Sequence, residues 1–272
     1  VNPKTFKKDL GKFSLDCICF NALHGTFGED GQIQKILDSA SRKYTHSDAL
    51  SSYICFNKNL TKKTIKKINI LTPESITIDY QNIEIDILND FYTNFGAFVL
   101  KPIQSGSSFG IKIFKDKKSI KYFIKNLKDN FKIYRNHNKI LIEKYIEGRE
   151  LTVTVIEKDD KSTPIEVTEI INHNEFFDYQ SKYSPGFSKH ILPAQIPQHI
   201  YNKCKLDAKK IHDKVNCKGI SRSDFIYVDD RIYFLEINNQ PGLTSLSLAP
   251  EQLEYQDFSF DKLILSLIKC VK

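Results

Sequence analysis

Two stretches near the carboxyl end of the chain alternate between apolar and polar residues, and the pattern predicts a β-hairpin. They are SDFIYV (223–228) and IYFLEIN (232–238), separated by DDR (229–231). We expect a three-residue turn in which Val228 faces Ile232. A two-residue turn would instead place the carboxylates of the two strands on opposite faces of the sheet.

In the register set by that turn, four polar side chains share one face of the hairpin. Asp224 lies opposite Glu236, and Arg222 lies opposite Asn238. Two carboxylates beside an amide oxygen form a set of hard oxygen ligands that suits Mg²⁺. A solvated outer face of an amphipathic hairpin explains these residues equally well when they are taken alone. The other face is expected to carry Phe225, Tyr227, Tyr233, Leu235 and Ile237.

Upstream, the run LDCICFNAL (15–23) has the continuous apolar character of a buried strand. It ends at HGTFGEDG (24–31), a glycine-punctuated loop, and ligands of open α/β sheets bind at such strand ends. A histidine such as His24, taken alone, more often has a structural role than a functional one. Its position in this loop makes a functional role nearly as well supported. A later segment, 47–67, predicts one helix with Lys58 partway along it.

A Gly/Ser-rich loop joins two predicted strands in the middle of the chain. The strand AFVLKP (97–102) contains Lys101, the loop QSGSSFG (104–110) follows, and IKIF (111–114) resumes the apolar pattern. Backbone N–H groups and hydroxyls of such a loop can surround phosphate oxygens. The spacing of a P-loop is absent, and a plain connecting turn explains this loop equally well.

Two glutamates flank a corner between the strands ILIEKYI (140–146) and ELTVTV (150–155). Glu143 or Glu150 could there accept hydrogen bonds from an adenine amine or from ribose hydroxyls. An exposed strand-end carboxylate is the simpler interpretation, and for Glu150 alone it is the favoured one. Residues 172–192 form a long polar and aromatic stretch, which is typical of lids and binding loops.

The composition is that of an ordinary globular protein, with 272 residues, 40% hydrophobic and 27% charged. No apolar run approaches the length of a membrane span, and no signal-peptide segment is found. The net charge of +7 comes from lysines scattered along the chain, whereas a nucleic-acid-binding protein would cluster them. The six cysteines have neither zinc nor CxxC spacing, which predicts reduced thiols in a cytoplasmic protein.

Five motifs occur in order and at fitting distances: HGTFGEDGQIQ, LKPIQSGSSFGI, LIEKYIEGREL, FFDYQSKY and SRSDF…FLEINNQPGLTSLSLAP. Together they resemble the D-alanine–D-alanine ligases of the ATP-grasp superfamily over nearly the whole chain. The resemblance implies an α/β (α+β) class, an ATP-grasp fold with a truncated N-terminal α/β (pre-ATP-grasp) domain. It divides the chain into a partial substrate-binding domain (1–58), a central ATP-grasp subdomain (59–150) and a C-terminal ATP-grasp subdomain with the metal and catalytic residues (151–272).

The resemblance also implies a role for each matching residue. The ATP-binding set is Lys58, Lys101, Ser105, Ser107, Ser108, Glu143, Lys144, Ile146, Glu150 and Lys182. The substrate contacts are His24, Arg222, Ser247 and Leu248. The ligands of two Mg²⁺ ions are Asp224, Glu236 and Asn238. The catalytic set is Arg222, Ser107, Tyr183 and Gly242, in which Arg222 and the backbone N–H of Gly242 stabilise the tetrahedral oxyanion.

The implied reaction joins two D-alanines to D-alanyl-D-alanine through an acyl phosphate, at the expense of ATP, for peptidoglycan synthesis and cell wall biogenesis. It uses Mg²⁺, for which Mn²⁺ can substitute. The implied enzyme is a cytoplasmic homodimer without nucleic-acid or membrane partners. Tyr183 resembles the dipeptide-forming version, whereas phenylalanine there would suggest a D-lactate-using relative.

The chain departs from the family pattern at its start. Family members begin with a strand, a glycine-rich loop carrying a substrate-binding glutamate, and a helix, and none of these precedes LDCICF. Methionine is absent, even at position 1. We therefore expect a fragment of an active enzyme or a protein with an impaired first substrate site. The alternatives are a ligase with another acceptor, such as D-lactate, and a nucleotide-binding module without ligase activity. Asn57, Asn239 and Gln240 are milder departures.

Overall fold

The structure, a computed structural model, describes residues 5–106, 110–127, 139–158, 160–172 and 188–271. Within these ranges, two antiparallel sheets and their covering helices form the mixed helix-and-sheet architecture that the sequence predicts. No helix in the same ranges is long and apolar enough to cross a membrane. All six cysteines are free thiols.

The N-terminal segment packs short helices around a small apolar cluster. Helix α1 spans Phe6–Leu10 and α2 spans Gln32–Ser39. The predicted buried strand at 15–23 is wrong, because this run makes a single strand-like bridge within the described residues, between Cys19 and Tyr44. Leu15 in this run is 59% exposed. An apolar run becomes a buried strand where neighbouring strands form hydrogen bonds with its backbone N–H and C=O groups. Among the described residues, no strand pairs with this run.

Packing requires the glycine at the start of α2. Gly31 has a φ of 88°, in the left-handed region, and a Cβ there would lie 2.3 Å from the carbonyl oxygen of Ala49. The HGTFGEDG loop is thereby brought against helix α3, which spans Ala49–Phe56. Asp30 fixes the loop, since its carboxylate accepts the backbone N–H of Gln32 at 3.1 Å.

The long helix predicted at 47–67 is divided in two. Helix α3 ends at Phe56, and helix α4 spans Lys58–Lys66. Asn57 between them is extended, and its side-chain oxygen accepts the N–H of Leu60 at 3.0 Å. Asn57 therefore caps the N-terminus of α4. The break places Lys58 at the first position of a helix instead of in the middle of one.

A four-stranded antiparallel sheet forms the middle of the fold. Its strands are β1 (Ser75–Asp79), β2 (Phe98–Pro102), β3 (Lys112–Phe114) and β4 (Lys139–Lys144), in the spatial order β1-β4-β2-β3. A 3₁₀ turn follows β1 at Tyr80–Asn82, and helices α5 (Ile85–Phe95) and α6 (Lys117–Lys125) supply the core that covers the sheet. The strands predicted on both sides of the Gly/Ser loop are confirmed as β2 and β3.

A five-stranded antiparallel sheet forms the C-terminal part. Its strands are β5 (Arg149–Lys158), β6 (Lys161–Asn172), β7 (Ser188–Ile191), β8 (Ile220–Val228) and β9 (Arg231–Asn238), in the spatial order β7-β6-β5-β8-β9. Helix α7 (Gln198–Lys214) packs into the main core with this sheet. Helices α8 (Leu248–Tyr255) and α9 (Phe260–Lys269) form a smaller core with it.

The predicted hairpin exists, but its turn has two residues instead of three. Val228 pairs with Arg231 and not with Ile232, and the two turn residues, 229 and 230, both have positive φ. Such turns match the twist of the flanking strands. The expected pairs of the polar face are nevertheless present, because the register shifts by one residue at Leu235. This β-bulge cancels the effect of the shorter turn.

The same shift corrects the predicted apolar face. Phe225 pairs with Phe234, and Tyr227 pairs with Ile232. Phe234 and Ile232 are therefore the core residues of β9 near the turn, in place of the predicted Tyr233 and Leu235. Ile237, beyond the bulge, is buried as predicted.

Candidate active site

Arg222 and Asp224 form a charge pair on the polar face of the β8–β9 hairpin. Nε and one terminal nitrogen of Arg222 donate to the two carboxylate oxygens of Asp224, at 3.0 and 2.9 Å. Thr152 on β5 donates its hydroxyl to Asp224 at 2.6 Å. Burial opposes the charge on Arg222, but Asp224 and Glu236 outweigh burial and raise the pKa of the guanidinium. Arg222 is therefore charged and held in one orientation.

Lys58 connects three elements of the site. It is buried at the start of α4, and its Nζ lies 3.1 Å from Oε2 of Glu236 on β9. The same Nζ donates to the carbonyl oxygen of Ser105, in the Gly/Ser loop, at 2.8 Å. Its backbone N–H donates to the carbonyl oxygen of Ile103 at 3.0 Å. The lysine predicted to contact phosphate thus lies between a predicted metal ligand and the predicted phosphate loop.

Two further lysines share a buried carboxylate. Glu143 on β4 accepts from Lys101 of β2 at 2.5 Å and from Lys62 of α4. Burial disfavours the charged form of Glu143, but Lys101 and Lys62 outweigh burial and lower the pKa of the carboxyl. Burial also lowers the pKa of Lys62, against the attraction of Glu143. Two ammonium groups and one carboxylate leave this triad with a net positive charge.

Lys62 is the residue of this group that sequence reasoning missed. It lies four residues after Lys58, so that both lysines occupy one face of α4. That face also buries Thr61 and Ile65. A lysine in phase with buried positions of an amphipathic helix is the signal that could have distinguished Lys62 from the exposed Lys63.

His24 is half exposed and pairs with a glutamate of its own loop. Its Nδ1 lies 3.1 Å from Oε1 of Glu29, and this hydrogen bond raises the pKa of the imidazole in spite of partial burial. A Cβ added to Gly106 would lie 3.7 Å from Oε2 of Glu29. The His24–Glu29 pair is therefore next to the Gly/Ser loop, and the role of His24 as a substrate contact stays a prediction.

The predicted oxyanion and substrate residues after the hairpin belong to one compact turn. A Cβ at Gly242 would lie 2.7 Å from the hydroxyl oxygen of Ser247. That hydroxyl accepts the backbone N–H of Thr244 at 3.2 Å. Ser247 immediately precedes α8, whose first residue is Leu248. These contacts fix the backbone of Gly242 relative to the start of α8.

The chain is similar in sequence to a protein family and to several named proteins. A family model described as D-ala D-ala ligase C-terminus matches residues 65–269. A D-alanine–D-alanine ligase from Pelagibacter ubique is 39% identical over 268 residues, which cover 98% of this chain and 84% of that protein. The chain belongs to the D-alanine–D-alanine ligase family. A ligase of the same name from Zymomonas mobilis is 40% identical over 246 residues, covering 86% of this chain and 71% of the relative.

Solved structures of this ligase family are similar along nearly the whole chain. The D-alanine–D-alanine ligase from Bacillus anthracis, complexed with ATP, superimposes with a TM-score of 0.77 at 28% identity, covering 97% of this chain and 82% of that one. The D-Ala:D-Ser ligase from Enterococcus faecalis has a TM-score of 0.79 at 30% identity, covering 93% and 72%. The ATP-grasp fold expected from the resemblance is confirmed.

The ATP-binding residues predicted from the ligase family include the corner between β4 and β5. Glu143 is 2% exposed, so its interpretation as an exposed strand-end carboxylate is wrong. Lys144 follows it and donates its N–H to the carbonyl oxygen of Glu74 at 2.9 Å, and Ile146 lies in the connection to β5. Glu150 contributes to the raised pKa of Arg222 and so belongs to the same charged site. The adenine and ribose contacts of these residues stay predictions.

Four predicted residues, Ser107, Ser108, Lys182 and Tyr183, lie outside the described residues, as does most of the predicted lid at 172–192. Their roles as ATP-binding and catalytic residues of the ligase stay predictions.

The chemistry of the hairpin suits a divalent cation. Asp224 and Glu236 are direct partners in the register, and Asn238 follows on the same face of β9. Oδ1 of Asn238 accepts the backbone N–H of Gln240 at 2.8 Å, which orients the amide. No group of three or more His, Cys, Asp and Glu in the described ranges could hold a metal, but this set joins two carboxylates to an amide. Three hard oxygen donors fit Mg²⁺.

Proposed function

We propose that the chain joins two D-alanines to D-alanyl-D-alanine at the expense of ATP, through an acyl phosphate, in the synthesis of peptidoglycan precursors. The observation that carries this proposal is the position of Lys58. Its ammonium group contacts both Glu236 and the Gly/Ser loop, at 3.1 and 2.8 Å. A terminal phosphate held at this place would meet the cation, the loop and the oxygen ligands of the hairpin together.

ATP is needed because a carboxylate is a poor electrophile. Transfer of the γ-phosphoryl group to the carboxylate of one D-alanine creates an acyl phosphate, and the amine of the second D-alanine then displaces phosphate. Phosphoryl transfer is catalysed mainly by positioning and by neutralisation of charge. Lys58 and Lys101 supply fixed positive charges for the phosphates, and their buried surroundings strengthen each interaction.

Two Mg²⁺ ions, or Mn²⁺ in their place, would be held by Asp224, Glu236 and Asn238 and would neutralise phosphate charge during the transfer. In this structure, Arg222 and Lys58 balance the two carboxylates of that set. We expect these cationic side chains to remain beside the site when nucleotide and metal are bound.

Arg222 and the backbone N–H of Gly242 would stabilise the oxyanion that forms when the amine attacks. Asp224 and Thr152 hold the position of Arg222, so little reorganisation is needed as negative charge develops. His24, Ser247 and Leu248 would contact the substrates. The acyl phosphate reacts with water, so the reaction requires a site from which water is excluded.

D-Alanine is the proposed acceptor because the curated relatives with 39% and 40% identity are D-alanine–D-alanine ligases. The Enterococcus faecalis structure, a D-Ala:D-Ser ligase, shows that the same fold accommodates a different acceptor in that protein. D-Serine and D-lactate are therefore the competitors to test. The protein is further proposed to act in the cytoplasm as a homodimer, which light scattering would check.

The decisive experiment measures phosphate release from ATP and Mg²⁺ with and without D-alanine, together with the dipeptide by mass spectrometry. We expect release to require D-alanine and to match dipeptide formation one to one. ATP binding without turnover would replace the proposal with a nucleotide-binding module. Release that depends on D-lactate or D-serine, and not on D-alanine, would change the acceptor.

A further inference from the structure

Gln240 lies two residues after the predicted metal ligand Asn238 and contacts two separate parts of the site. It is 2% exposed. Its backbone N–H donates to Oδ1 of Asn238 at 2.8 Å. Its side chain reaches the N-terminal segment, where its Nε2 donates to the carbonyl oxygen of Leu23, and its Oε1 accepts from Nδ2 of Asn21 at 2.8 Å. One residue therefore joins the end of the hairpin to the loop that carries His24.

Asn21 extends this contact across the base of the His24 loop. It is 5% exposed. Its Nδ2 also donates to the carbonyl oxygen of Gly28 at 3.0 Å, and its Oδ1 accepts the N–H of Leu23 at 3.2 Å. Leu23 and Gly28 enclose the residues from His24 to Phe27. The two amides thus hold both ends of the loop and attach them to Gln240.

The burial of these amides makes the arrangement specific. A buried amide without partners is destabilising, so Gln240 and Asn21 are both satisfied only when the loop is docked in this position. Within the described residues, the hydrogen bonds of Gln240 and Asn21 are made with Asn238, Leu23, Gly28, Thr45 and each other, and not with Lys58, Lys62, Lys101 or the described part of the Gly/Ser loop. The arrangement therefore bears on where His24 lies relative to Asn238 and Gly242, and much less on the phosphate side of the site.

We propose that Gln240 is a positioning residue that sets the His24 loop in register with the β8–β9 hairpin, so that the contacts to D-alanine and the metal ligands are correctly spaced. This inference rests on the proposed function. Gln240 acts through its neighbours and does not itself touch substrate. Its loss should weaken the use of D-alanine while the interaction with ATP stays intact.

The test compares Gln240→Met with Asn239→Ala. Methionine keeps the length of the side chain but offers neither the N–H donors nor the carbonyl acceptor of glutamine. Asn239 is an adjacent amide with the same 2% exposure that also reaches the N-terminal segment, donating to the hydroxyl of Ser52 at 2.8 Å. It serves as the matched control, because its contact is with helix α3 and not with the His24 loop.

We expect Gln240→Met to raise the KM for D-alanine by roughly tenfold or more. Displacement of a substrate contact by about an ångström can reduce the efficiency of an enzyme by about a hundredfold. The KM for ATP should change less than about twofold, and Asn239→Ala should leave the KM for D-alanine near that of the unsubstituted protein. The proposal would be overturned if Gln240→Met raised the KM for ATP as much as the KM for D-alanine. It would also be overturned if the two variants raised the KM for D-alanine equally.

Amide hydrogen exchange keeps this inference separate from the proposed function. A peptide covering residues 20–31 should exchange faster in Gln240→Met than in Asn239→Ala, because the loop loses its attachment. This result is independent of turnover. Unchanged exchange would overturn the positioning role, whereas absence of D-alanine-dependent turnover in the unsubstituted protein, with the exchange difference present, would overturn only the function.

Discussion

Two glutamates of the site, Glu143 and Glu236, are both paired with lysine and yet have opposite surroundings. Glu143 is 2% exposed and has a lysine at each oxygen. The side chain of Glu236 is 36% exposed and has Lys58 at 3.1 Å. A carboxylate with a buried lysine at each oxygen holds those lysines in place, whereas an accessible one can also bind a cation from solvent. The same chemical group therefore anchors cations in the central sheet and is available as a ligand in the hairpin.

The largest effect should come from removing the accessible carboxylate. Glu236→Gln is expected to reduce turnover by about a thousandfold or more, since it removes a charge on which phosphoryl transfer depends. Phosphate release at saturating ATP and D-alanine measures it. Asp230→Asn in the turn of the same hairpin is the control, because asparagine tolerates the positive φ there. Near-normal turnover of Glu236→Gln would refute its role as a ligand.

Opening the enclosed carboxylate should affect ATP binding and stability together. Lys62→Met leaves Glu143 and Lys101 as a neutral pair, so we expect the KM for ATP to rise about tenfold because a positive charge is lost beside the predicted phosphate site. The free energy of unfolding should fall by about 1.5 kcal/mol, the usual contribution of one hydrogen bond to a charged group, since Lys101 keeps Glu143 paired. ATP titrations and chemical denaturation measure the two quantities. Lys63→Met removes the same charge from an exposed position of the same helix and should change neither. Identical behaviour of the two variants would contradict an anchoring role for the triad.

A smaller effect is expected at the helix cap beside Lys58. Asn57→Ala removes the acceptor for the N–H of Leu60 and should lower the free energy of unfolding by about 1 kcal/mol, the usual cost of a lost N-cap. Asn57→Asp keeps an acceptor and should be close to the unsubstituted protein. Chemical denaturation of the three proteins distinguishes them, and an Asn57→Asp as unstable as Asn57→Ala would argue against the cap.

The smallest effect concerns His24, whose pKa is raised above its ordinary value of 6.5, mainly by the hydrogen bond to Glu29. A raised folded-state pKa means that the pair stabilises the protein fully below the ordinary pKa and that this contribution is lost as the pH rises through the folded value. Because His24 is half exposed, we expect less than about 0.5 kcal/mol. Denaturation at about pH 5.5 and about pH 8.5 should show this difference, and Glu29→Gln should remove it. A Glu29→Gln protein with the same pH dependence would exclude the pair as its source.

The architecture was largely predictable because it depends on local patterns and on motifs that occur in order. The strands around the Gly/Ser loop, the β8–β9 hairpin and the ATP-grasp class all follow from such signals. The prediction of a buried strand at 15–23 was wrong, because an apolar run does not show whether other strands will pair with it. The break at Asn57 was equally hidden, although an asparagine that can cap α4 was present in the sequence.

Sequence reasoning names candidate site residues, but it does not give the contacts that those residues make. Lys58 and Glu236 were both proposed, but nothing in their sequence separation predicts that their charged groups lie 3.1 Å apart. Lys62 was overlooked because composition does not distinguish one buried lysine from the many lysines at the surface. Gln240 was treated as a mild departure from the family, and only its contacts with Asn21 and Leu23 reveal its position between two parts of the site.

The bulge at Leu235 has a consequence for how the hairpin tolerates insertions and deletions. The two-residue turn and the bulge are compensating single-residue changes, one next to Val228 and the other next to Glu236. Deleting Leu235 alone would make Phe234 and Glu236 consecutive residues opposite Phe225 and Asp224, so the ladder would become regular, with Phe234 still in the core and Glu236 and Asn238 still on the polar face. Leu235 is therefore a position at which β9 can lose a residue without a second change in the turn and without moving the predicted metal ligands to the other face.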